Sequence, residues 1–323
     1  MLTAAMTLPM AAVPAMADDE VTLVYAEVNP EDSLMGRTAA AFKEKVEELT
    51  DGSVKIDIQY SGVLGDEATV LDTMIGGGGT IDLARVATFS LTNYGAKRTS
   101  LLSVPYTFSG REHFWKFADS ELGAELLKEP EETGLGVQGL FYVEEGFRHF
   151  FLTEEVSGLE DLAGKKLRVS NDPIMTGMVD GLKASATVVA FGELYSALSS
   201  GVVDGAEQPI VNYQSNAFNE VAPYMIKDGH TLGCAEVLIT DAAMAKLSEE
   251  QAAAVAEAGK YASEFNADLS EEIENECIAE LEEAGVKFTE VEDLTEWQEA
   301  CADIINSSIE GMEEDYQAIL DMQ

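Results

Sequence analysis

Between Val21 and Val86 the sequence alternates between strand and helix patterns, and this alternation restricts the fold more than any other feature. Apolar residues at every second position predict strands, and apolar residues three or four positions apart predict helices. The predicted order is strand Val21–Ala26, helix Ser33–Thr50, strand Val54–Ile58, helix Asp66–Ile75 and strand Ile81–Val86. A β-α-β-α-β order is typical of a parallel sheet with helices on its faces.

A second alternation of this kind begins near Val137. The predicted elements are strands at Val137–Tyr142 and Lys166–Val169, helices at Ile174–Leu182 and Glu193–Ser200, and long helical sequence at Ser248–Glu283 and Leu294–Met322. A chain of 323 residues exceeds one average domain, and no low-complexity linker divides it. We therefore expect two α/β lobes, joined by strands that cross between them, with a cleft at the junction.

The charge of the chain is strongly negative. Sixty Asp and Glu residues face 19 Lys and Arg residues, which gives a formal charge of −41. Such a field repels nucleic acids and anionic membrane surfaces, and we expect neither as a partner. Most of the acidic residues are expected to lie on a solvated surface.

The N-terminal segment predicts export. Residues 1–17 carry no charge and end in Ala15–Ala17, an Ala-x-Ala sequence, directly before the acidic run Asp18–Glu20. This pattern is typical of the end of a secretory signal peptide, and a buried N-terminal helix is the alternative. No later segment reaches the roughly 20 apolar residues that span a bilayer. We expect an exported, periplasmic or extracytoplasmic protein without direct membrane insertion.

The sequence contains no recognisable catalytic or metal-binding motif. The run Gly76–Gly79 lacks the Lys-Ser/Thr of a phosphate-binding loop and precedes a strand, which favours a turn at a helix end. Neither a nucleophile elbow nor a zinc motif occurs, and the three histidines are widely separated. Cys234, Cys277 and Cys301 lack metal-ligand spacing. Three buried or idle thiols are predicted, and a Cys277–Cys301 pair, which requires their segments to lie side by side, is the alternative. No cofactor is predicted.

Two arginines follow or lie on predicted strands. Arg148 belongs to Gly146-Phe-Arg-His149, and Arg168 to Gly164–Val169. A planar guanidinium at a strand end binds a carboxylate through two parallel hydrogen bonds. A surface ion pair is the alternative for each, because acidic partners are abundant in this chain.

The stretch Phe191–Glu207 carries a family resemblance. It reads FGELYSALSSGVVDGAE and resembles the DctP-like solute-binding proteins of TRAP transporters, whose pattern is close to F-G-E-x-Y-x-A-L-x-x-G-V-V-D-G-x-E-N. Shorter matches occur at Leu64–Gly65, Val104–Tyr106 and Gly164–Val169. The resemblance extends over nearly the whole chain beyond the apolar N-terminal segment.

This resemblance implies a two-lobed periplasmic-binding-protein fold, in which each lobe is a mostly parallel sheet flanked by helices. The lobes of such proteins close on a ligand in the cleft between them. We place 18–145 and about 234–273 in lobe I, and 146–233 and about 274–323 in lobe II. The implied partners are a small organic acid and the DctQ-like and DctM-like membrane subunits. The binding protein itself is expected to be a monomer and not an enzyme.

The resemblance also implies a set of ligand-binding residues. Arg168 takes the place of the arginine that holds the ligand carboxylate, and Arg148 that of a second arginine near it. Gln208 stands where the family usually has asparagine, so its side chain is one methylene longer. The remaining positions are Glu27, Glu67, Arg85, Asn171, Phe191, Tyr213 and His230.

Several of these positions have a second interpretation. Tyr213 and His230 lie near the expected hinge, and packing there is as good an explanation as ligand contact. Phe191 is expected to form an apolar wall against a sugar ring. Arg85 either binds a ligand oxygen or neutralises two nearby acids.

The ligand class implied by the resemblance is a uronate such as glucuronate or galacturonate. The segments Asp82–Val86, Asp204–Glu207 and Asp228–Thr231 look most similar to the uronate-binding branch. Ionised Glu27 and Glu67 are acceptors suited to sugar hydroxyls, and they would repel a dicarboxylate. Sialic acid, a keto acid or a dicarboxylate are the alternatives. The paired acids also leave open an exported glycosidase, which needs two carboxyl groups about 5–9 Å apart.

Overall fold

The computed structural model describes residues 20–323, and the predicted signal segment 1–17 lies outside the described residues. The strands are β1 (Val21–Ala26), β2 (Val54–Gln59), β3 (Leu83–Ala87), β4 (Val137–Leu152), β5 (Lys166–Val169), β6 (Ser185–Val188), β7 (Gly205–Pro209), β8 (Tyr224–Thr240) and β9 (Lys287–Glu290).

The α-helices vary from one turn to a helix that extends across much of the molecule. They are α1 (Leu34–Leu49), α2 (Glu67–Ile75), α3 (Arg111–Ala118), α4 (Glu121–Leu126), α5 (Glu129–Glu132), α6 (Pro173–Gly181), α7 (Leu194–Ser199), α8 (Ile210–Ser215), α9 (Asp241–Met244), α10 (Glu249–Glu283), α11 (Thr295–Ala300), α12 (Ala302–Ser308) and α13 (Glu313–Leu320). Short 3-10 helices cover Thr88–Tyr94, Thr99–Ser103, Leu159–Leu162, Phe191–Glu193 and Phe218–Glu220. Within residues 20–323, no helix combines the length and apolarity that crossing a membrane requires.

One continuous sheet runs through the molecule in the order β2-β1-β3-β8-β4-β7-β5-β6, and β9 pairs with β8. The pairs β1–β2, β1–β3, β5–β6, β5–β7 and β8–β9 are parallel, whereas the three pairs around the long strands β4 and β8 are antiparallel. Parallel strands therefore form each end of the sheet.

Strands β4 and β8 join the two ends of the sheet. The first half of β4 pairs with the part of β8 that also pairs with β3, and the second half of β4 pairs with β7. The β4–β8 register shifts between Glu144 and Phe147 and again between Arg148 and Phe150. Such irregularities bend a strand. This topology confirms the predicted α/β fold of two lobes joined by crossing strands, and the residue bounds of the lobes stay a prediction.

Local signals explain why the helices begin where they do. Ser33 and Asp66 accept hydrogen bonds from Gly36 N and Thr69 N and so cap the starts of α1 and α2. Ser248 and Gln251 form a capping box at the start of α10. The helix starts predicted from apolar spacing at Ser33, Asp66 and Ser248 are confirmed to within one residue.

The glycine run after α2 and the cysteines behave as predicted. Gly76 closes α2, and Gly77 and Gly79 have positive φ angles of 69° and 65°, as a turn requires. All three cysteines are buried and free, so the prediction of three buried thiols is confirmed and the pairing of Cys277 with Cys301 is wrong.

Two predicted elements differ from the structure. The strand predicted to end at Tyr142 continues to Leu152, because Gly146 is part of a bulge and not the end of the strand. Arg148 therefore lies within a strand, not beyond one. The helical pattern at Leu294–Met322 is divided among α11, α12 and α13, and Gly311 with φ +80° separates the last two.

Replacing Gly146 by Ala is expected to destabilise the crossing strand. Gly146 has φ +90°, and a Cβ atom there would lie 2.3 Å from Glu274 Oε2, whose carboxylate is bonded to Arg111. The positive φ alone costs about 1–2 kcal/mol for a residue with a Cβ atom, and displacing Glu274 adds about 1 kcal/mol.

Gly134→Ala is the matched control, since Gly134 has φ +74° with nothing within 4 Å of the added Cβ. Urea unfolding of both variants measures the difference. Equal losses of unfolding free energy would show that the bulge tolerates a methyl group.

Candidate functional site

A cavity of about 500 Å³ lies where the two ends of the sheet meet at the crossing strands. Its wall comes from strands β3, β4, β5 and β7, from the segments after β1, β3, β5 and β6, and from the starts of α2 and α8. Ligands of open α/β sheets bind at such strand ends. The polar side chains on the wall include Asn29, Glu67, Arg85, Glu145, Arg148, Arg168, Gln208 and Asn212.

Arg168 on β5 is a buried cation without an ion pair among residues 20–323. Its side chain is about 2% exposed, Nε donates to Val189 O at 2.8 Å, and Nη1 has no hydrogen-bond partner among the described residues. Burial lowers the pKa of Arg168 to about 10, and the more distant Glu207 opposes this shift only in part. The end of the guanidinium is therefore able to receive an anion.

Arg148 on β4 already has a carboxylate partner. Its Nε and Nη2 atoms both bond Glu207 of β7, the latter at 2.9 Å from Oε1, and its guanidinium lies 5.4 Å from the centre of the Phe89 ring. Burial raises the pKa of a carboxyl group, but Arg148 and His230 reverse this and lower the pKa of Glu207 to about 2. Glu207 consequently holds Arg148 against the cavity wall as a fixed donor.

Arg85 on β3 lies among three carboxylates. Its Nη2 atom is 3.2 Å from Glu27 Oε1, and its Nη1 atom is 2.9 Å from Glu67 Oε1 and 3.1 Å from Glu145 Oε1. Burial disfavours the charge of Arg85, but the three acids more than offset this and raise its pKa. Of the two interpretations of Arg85, neutralisation of nearby acids fits this geometry.

A buried histidine extends the charge network behind Glu207. His230 Nδ1 is 2.6 Å from Asp228 Oδ2, and Nε2 is 3.6 Å from Glu207 Oε2. Burial lowers the pKa of an imidazole, but the two carboxylates overcome this and raise the pKa of His230 to about 9. His149, which accepts a hydrogen bond from Gly229 N, has its pKa lowered by burial to about 4. The network therefore contains one charged and one neutral imidazole near pH 7.

A hydrogen bond between two loops bridges the cavity. Asn93 Nδ2, in the segment after β3, donates to Asn171 O, in the segment after β5, at 2.5 Å. Both residues line the cavity, on opposite sides of the crossing strands. Nearby, the half-buried Phe191 packs edge-on against Phe218, with ring centres 5.8 Å apart. The cavity thus has an apolar wall beside its arginines.

The structure brings most of the predicted site residues to one place. Those on the cavity wall are Glu67, Arg85, Arg148, Arg168, Asn171, Phe191 and Gln208. Glu27, Tyr213 and His230 do not line it. Glu27 is bonded to Arg85 and Asn29 beneath the wall, and Tyr213 is a fully buried core residue whose hydroxyl donates to Ala222 O. His230 lies off the wall, and its Nε2 atom faces Glu207.

Sequence reasoning missed Glu145, Asn212 and Asn29, which also line the cavity. Glu145 directly precedes Gly146, and Asn212 directly precedes the predicted site residue Tyr213. Side chains alternate between the two faces of a strand, so Glu144 and Glu145 are expected on opposite faces. Which of the two faces the cavity depends on the bulge at Gly146, and no local sequence pattern reveals that bulge. Within residues 20–323, no group of three or more His, Cys, Asp or Glu side chains is arranged to hold a metal ion.

Comparison with known proteins gives a family match. The family model described as DctP, bacterial extracellular solute-binding protein, family 7, matches residues 25–311. A solute-binding protein of Roseobacter denitrificans is 31% identical over 290 residues, which are 90% of this chain and 87% of that protein.

Solved structures agree with this match. A TRAP periplasmic solute-binding protein of Roseobacter denitrificans with bound L-galactonate has a TM-score of 0.85 and 30% identity, over 93% of this chain and 99% of that one. A similar protein of Chromohalobacter salexigens with bound D-glucuronate has a TM-score of 0.87 and 26% identity, over 93% of this chain and 100% of that one.

The charged state of His230 predicts a loss of stability at alkaline pH. Because its folded-state pKa of about 9 lies above the ordinary value of 6.5, its contribution is complete below 6.5 and is lost as pH rises through 9. We expect wild type to lose on the order of 1–3 kcal/mol between pH 7 and pH 10 from this group.

Urea unfolding at both pH values measures this loss, and His230→Gln should remove it. His149→Gln is the control, because that histidine is also buried but is neutral throughout this range. An equal pH dependence in wild type and His230→Gln would contradict the assignment.

Proposed function

Since the chain belongs to family 7 of the bacterial extracellular solute-binding proteins, the DctP family of TRAP transporters, we propose that it captures a sugar acid in the cavity between its lobes. The proposed ligand is a uronate such as glucuronate or galacturonate, or a closely related monocarboxylate sugar acid. Closure of the lobes around the ligand would accompany binding.

The buried guanidinium of Arg168, which forms no ion pair with any described residue, is the observation that carries this proposal. A buried charge without a counterion is costly, and a ligand carboxylate would supply both the missing charge and the missing hydrogen-bond acceptor. Arg148 differs because Glu207 already neutralises it, and it retains only its remaining N–H groups for a ligand oxygen. The cavity therefore has one position suited to an anion.

The sugar part of the ligand is supported by two observations. Relatives of this fold contain L-galactonate or D-glucuronate, and both are monocarboxylates that carry several hydroxyl groups. The wall of this cavity combines the apolar face of Phe191 with polar side chains such as Gln208 and Glu67. An apolar face beside hydrogen-bonding groups suits a sugar, which has both kinds of surface.

A glycosidase activity has little support in this geometry. The two carboxylates considered for it, Glu27 and Glu67, both pair with Arg85, and Glu27 lies off the cavity wall. A general acid needs a raised pKa and access to the glycosidic oxygen. The family and the relatives are solute-binding proteins, and we propose that this chain likewise binds its ligand without converting it.

We further propose that the protein acts outside the cytoplasm as a monomer and delivers its ligand to DctQ-like and DctM-like membrane subunits. The family description as extracellular and the predicted signal segment support this location. The site residues carried over from the family belong to the same proposal.

Thermal-shift measurements test the ligand class. Binding to the folded state raises the melting temperature by mass action. We expect D-glucuronate, D-galacturonate or galactonate to raise it, and succinate, pyruvate and sialic acid to have a smaller effect. Native mass spectrometry of freshly purified protein gives an independent identification. If succinate alone raises the melting temperature, the ligand is a dicarboxylate and not a sugar acid. If none of these acids raises it, the proposed function is contradicted.

Arg168→Lys is expected to weaken sugar-acid binding although it keeps the positive charge. Truncating a desolvated charged partner costs about 2–5 kcal/mol, and lysine should lose a substantial part of this because it lacks the planar fork. Calorimetry with D-glucuronate measures the change.

Arg98→Lys provides the matched control, since Arg98 is partly exposed, pairs with Glu125 and Asp315, and does not line the cavity. If Arg168→Lys binds as tightly as wild type, Arg168 does not hold the carboxylate.

A further inference from the structure

Three buried oxygen atoms on the cavity wall accept no hydrogen bond from any described residue. They are Glu145 Oε1, Asn212 Oδ1 and Asn29 Oδ1. All three residues line the cavity, and none is more than 3% exposed. Buried polar atoms nearly always have a partner, so a cluster of open acceptors indicates where a ligand supplies donors.

The hydrogen bonds around these atoms determine that they are acceptors. Asn212 Nδ2 donates to Glu145 Oε2 at 3.1 Å, and Asn29 Nδ2 donates to Glu27 Oε1 at 3.0 Å. An ionised carboxylate only accepts, so each amide must direct its NH₂ group to the acid, and its oxygen stays open. Glu145 Oε1 lies 3.1 Å from Arg85 Nη1 as an ion pair but accepts no hydrogen bond.

The open acceptor Glu145 and the open donor Arg168 lie on different strands. Glu145 is on β4 and Arg168 is on β5, with β7 between them in the sheet. Neighbouring strands are about 4.8 Å apart, so the two backbones are separated by roughly 10 Å across the sheet. A ligand that satisfies both needs an anionic group at one end and O–H donors at the other.

We propose that Glu145 and Asn212 form a hydroxyl-binding subsite that selects polyhydroxy monocarboxylates and rejects dicarboxylates. A hydroxyl group can donate to either oxygen, whereas a second carboxylate has no proton to donate and is repelled by Glu145. This inference rests on the proposed function, because it assumes that Arg168 takes the single carboxylate. Glu145 and Asn212 are then specificity residues, and they need not contribute to the binding of every acid.

Galactonate and galactarate are the matched probes, since they differ only in the terminal group, which is CH₂OH in one and a carboxylate in the other. Calorimetry with both acids is carried out on wild type, Glu145→Gln and Asn212→Leu. We expect wild type to prefer galactonate. Each variant should bind galactonate about 10- to 100-fold more weakly. The affinity for galactarate should be unchanged or increased in Glu145→Gln, so that the preference for galactonate over galactarate becomes smaller.

Glu144→Gln is the control for a general effect of removing a buried acid. Glu144 precedes Glu145, is fully buried and pairs with Arg111, but it does not line the cavity. Its substitution should leave the ratio of the two affinities unchanged, and urea unfolding establishes that each variant is folded.

The outcomes separate this inference from the proposed function. If wild type binds galactonate but Glu145→Gln and Asn212→Leu leave the ratio as in wild type, or weaken both acids equally, the subsite is contradicted and the proposed function stands. If wild type binds none of galactonate, D-glucuronate and D-galacturonate, both proposals are contradicted.

Discussion

The bonded pair of Arg148 and Glu207 joins the architecture of the molecule to its cavity. The two residues lie on β4 and β7, where the second half of the crossing strand meets the parallel strands of one end of the sheet. Both side chains are buried, and removing either partner would leave an uncompensated charge in the interior. His230 and Asp228 on β8 continue the pair to the other crossing strand. The region where the two lobes meet is thus held by charge as well as by the sheet.

The arginines of the cavity differ in how far their charge is already neutralised. Arg85 has three carboxylates close to it, Arg148 has one bonded carboxylate, and Arg168 has no ion pair among the described residues. The positive charge available to a ligand is therefore concentrated at Arg168, although the wall contains three guanidinium groups. Opposite charges at short distance in a poorly solvated site interact strongly, which makes this distribution a physical basis for orienting a carboxylate.

The strongly acidic composition means that binding of an anion depends on the arginines of the cavity. With a formal charge of −41, the chain as a whole repels anions, and long-range attraction cannot draw an acid to it. Binding of an anion must depend on short-range contacts in a cavity that water and salt screen only weakly. The fold supplies such contacts by placing three of its few arginines on the cavity wall, away from the acidic surface.

The sequence by itself determined the alternation of strands and helices, their starts at Ser33, Asp66 and Ser248, and the family. These features depend on periodicity, on caps within three residues and on a contiguous stretch such as Phe191–Glu207, all of which are local. It also identified Arg168 as a candidate. Only the tertiary structure decided that Glu145 lines the cavity and Glu144 does not, because a bulge at Gly146 alters the alternation of β4.

The tertiary structure likewise decided which acid pairs with which arginine. Glu27 meets Arg85 and Arg148 meets Glu207 across 58 and 59 residues of sequence, respectively. No local pattern encodes which acid neutralises which arginine, because that choice follows from strand order and from the direction of buried side chains. For the same reason the sequence could name three arginines, but only the packed sheet left Arg168 without a carboxylate partner among residues 20–323.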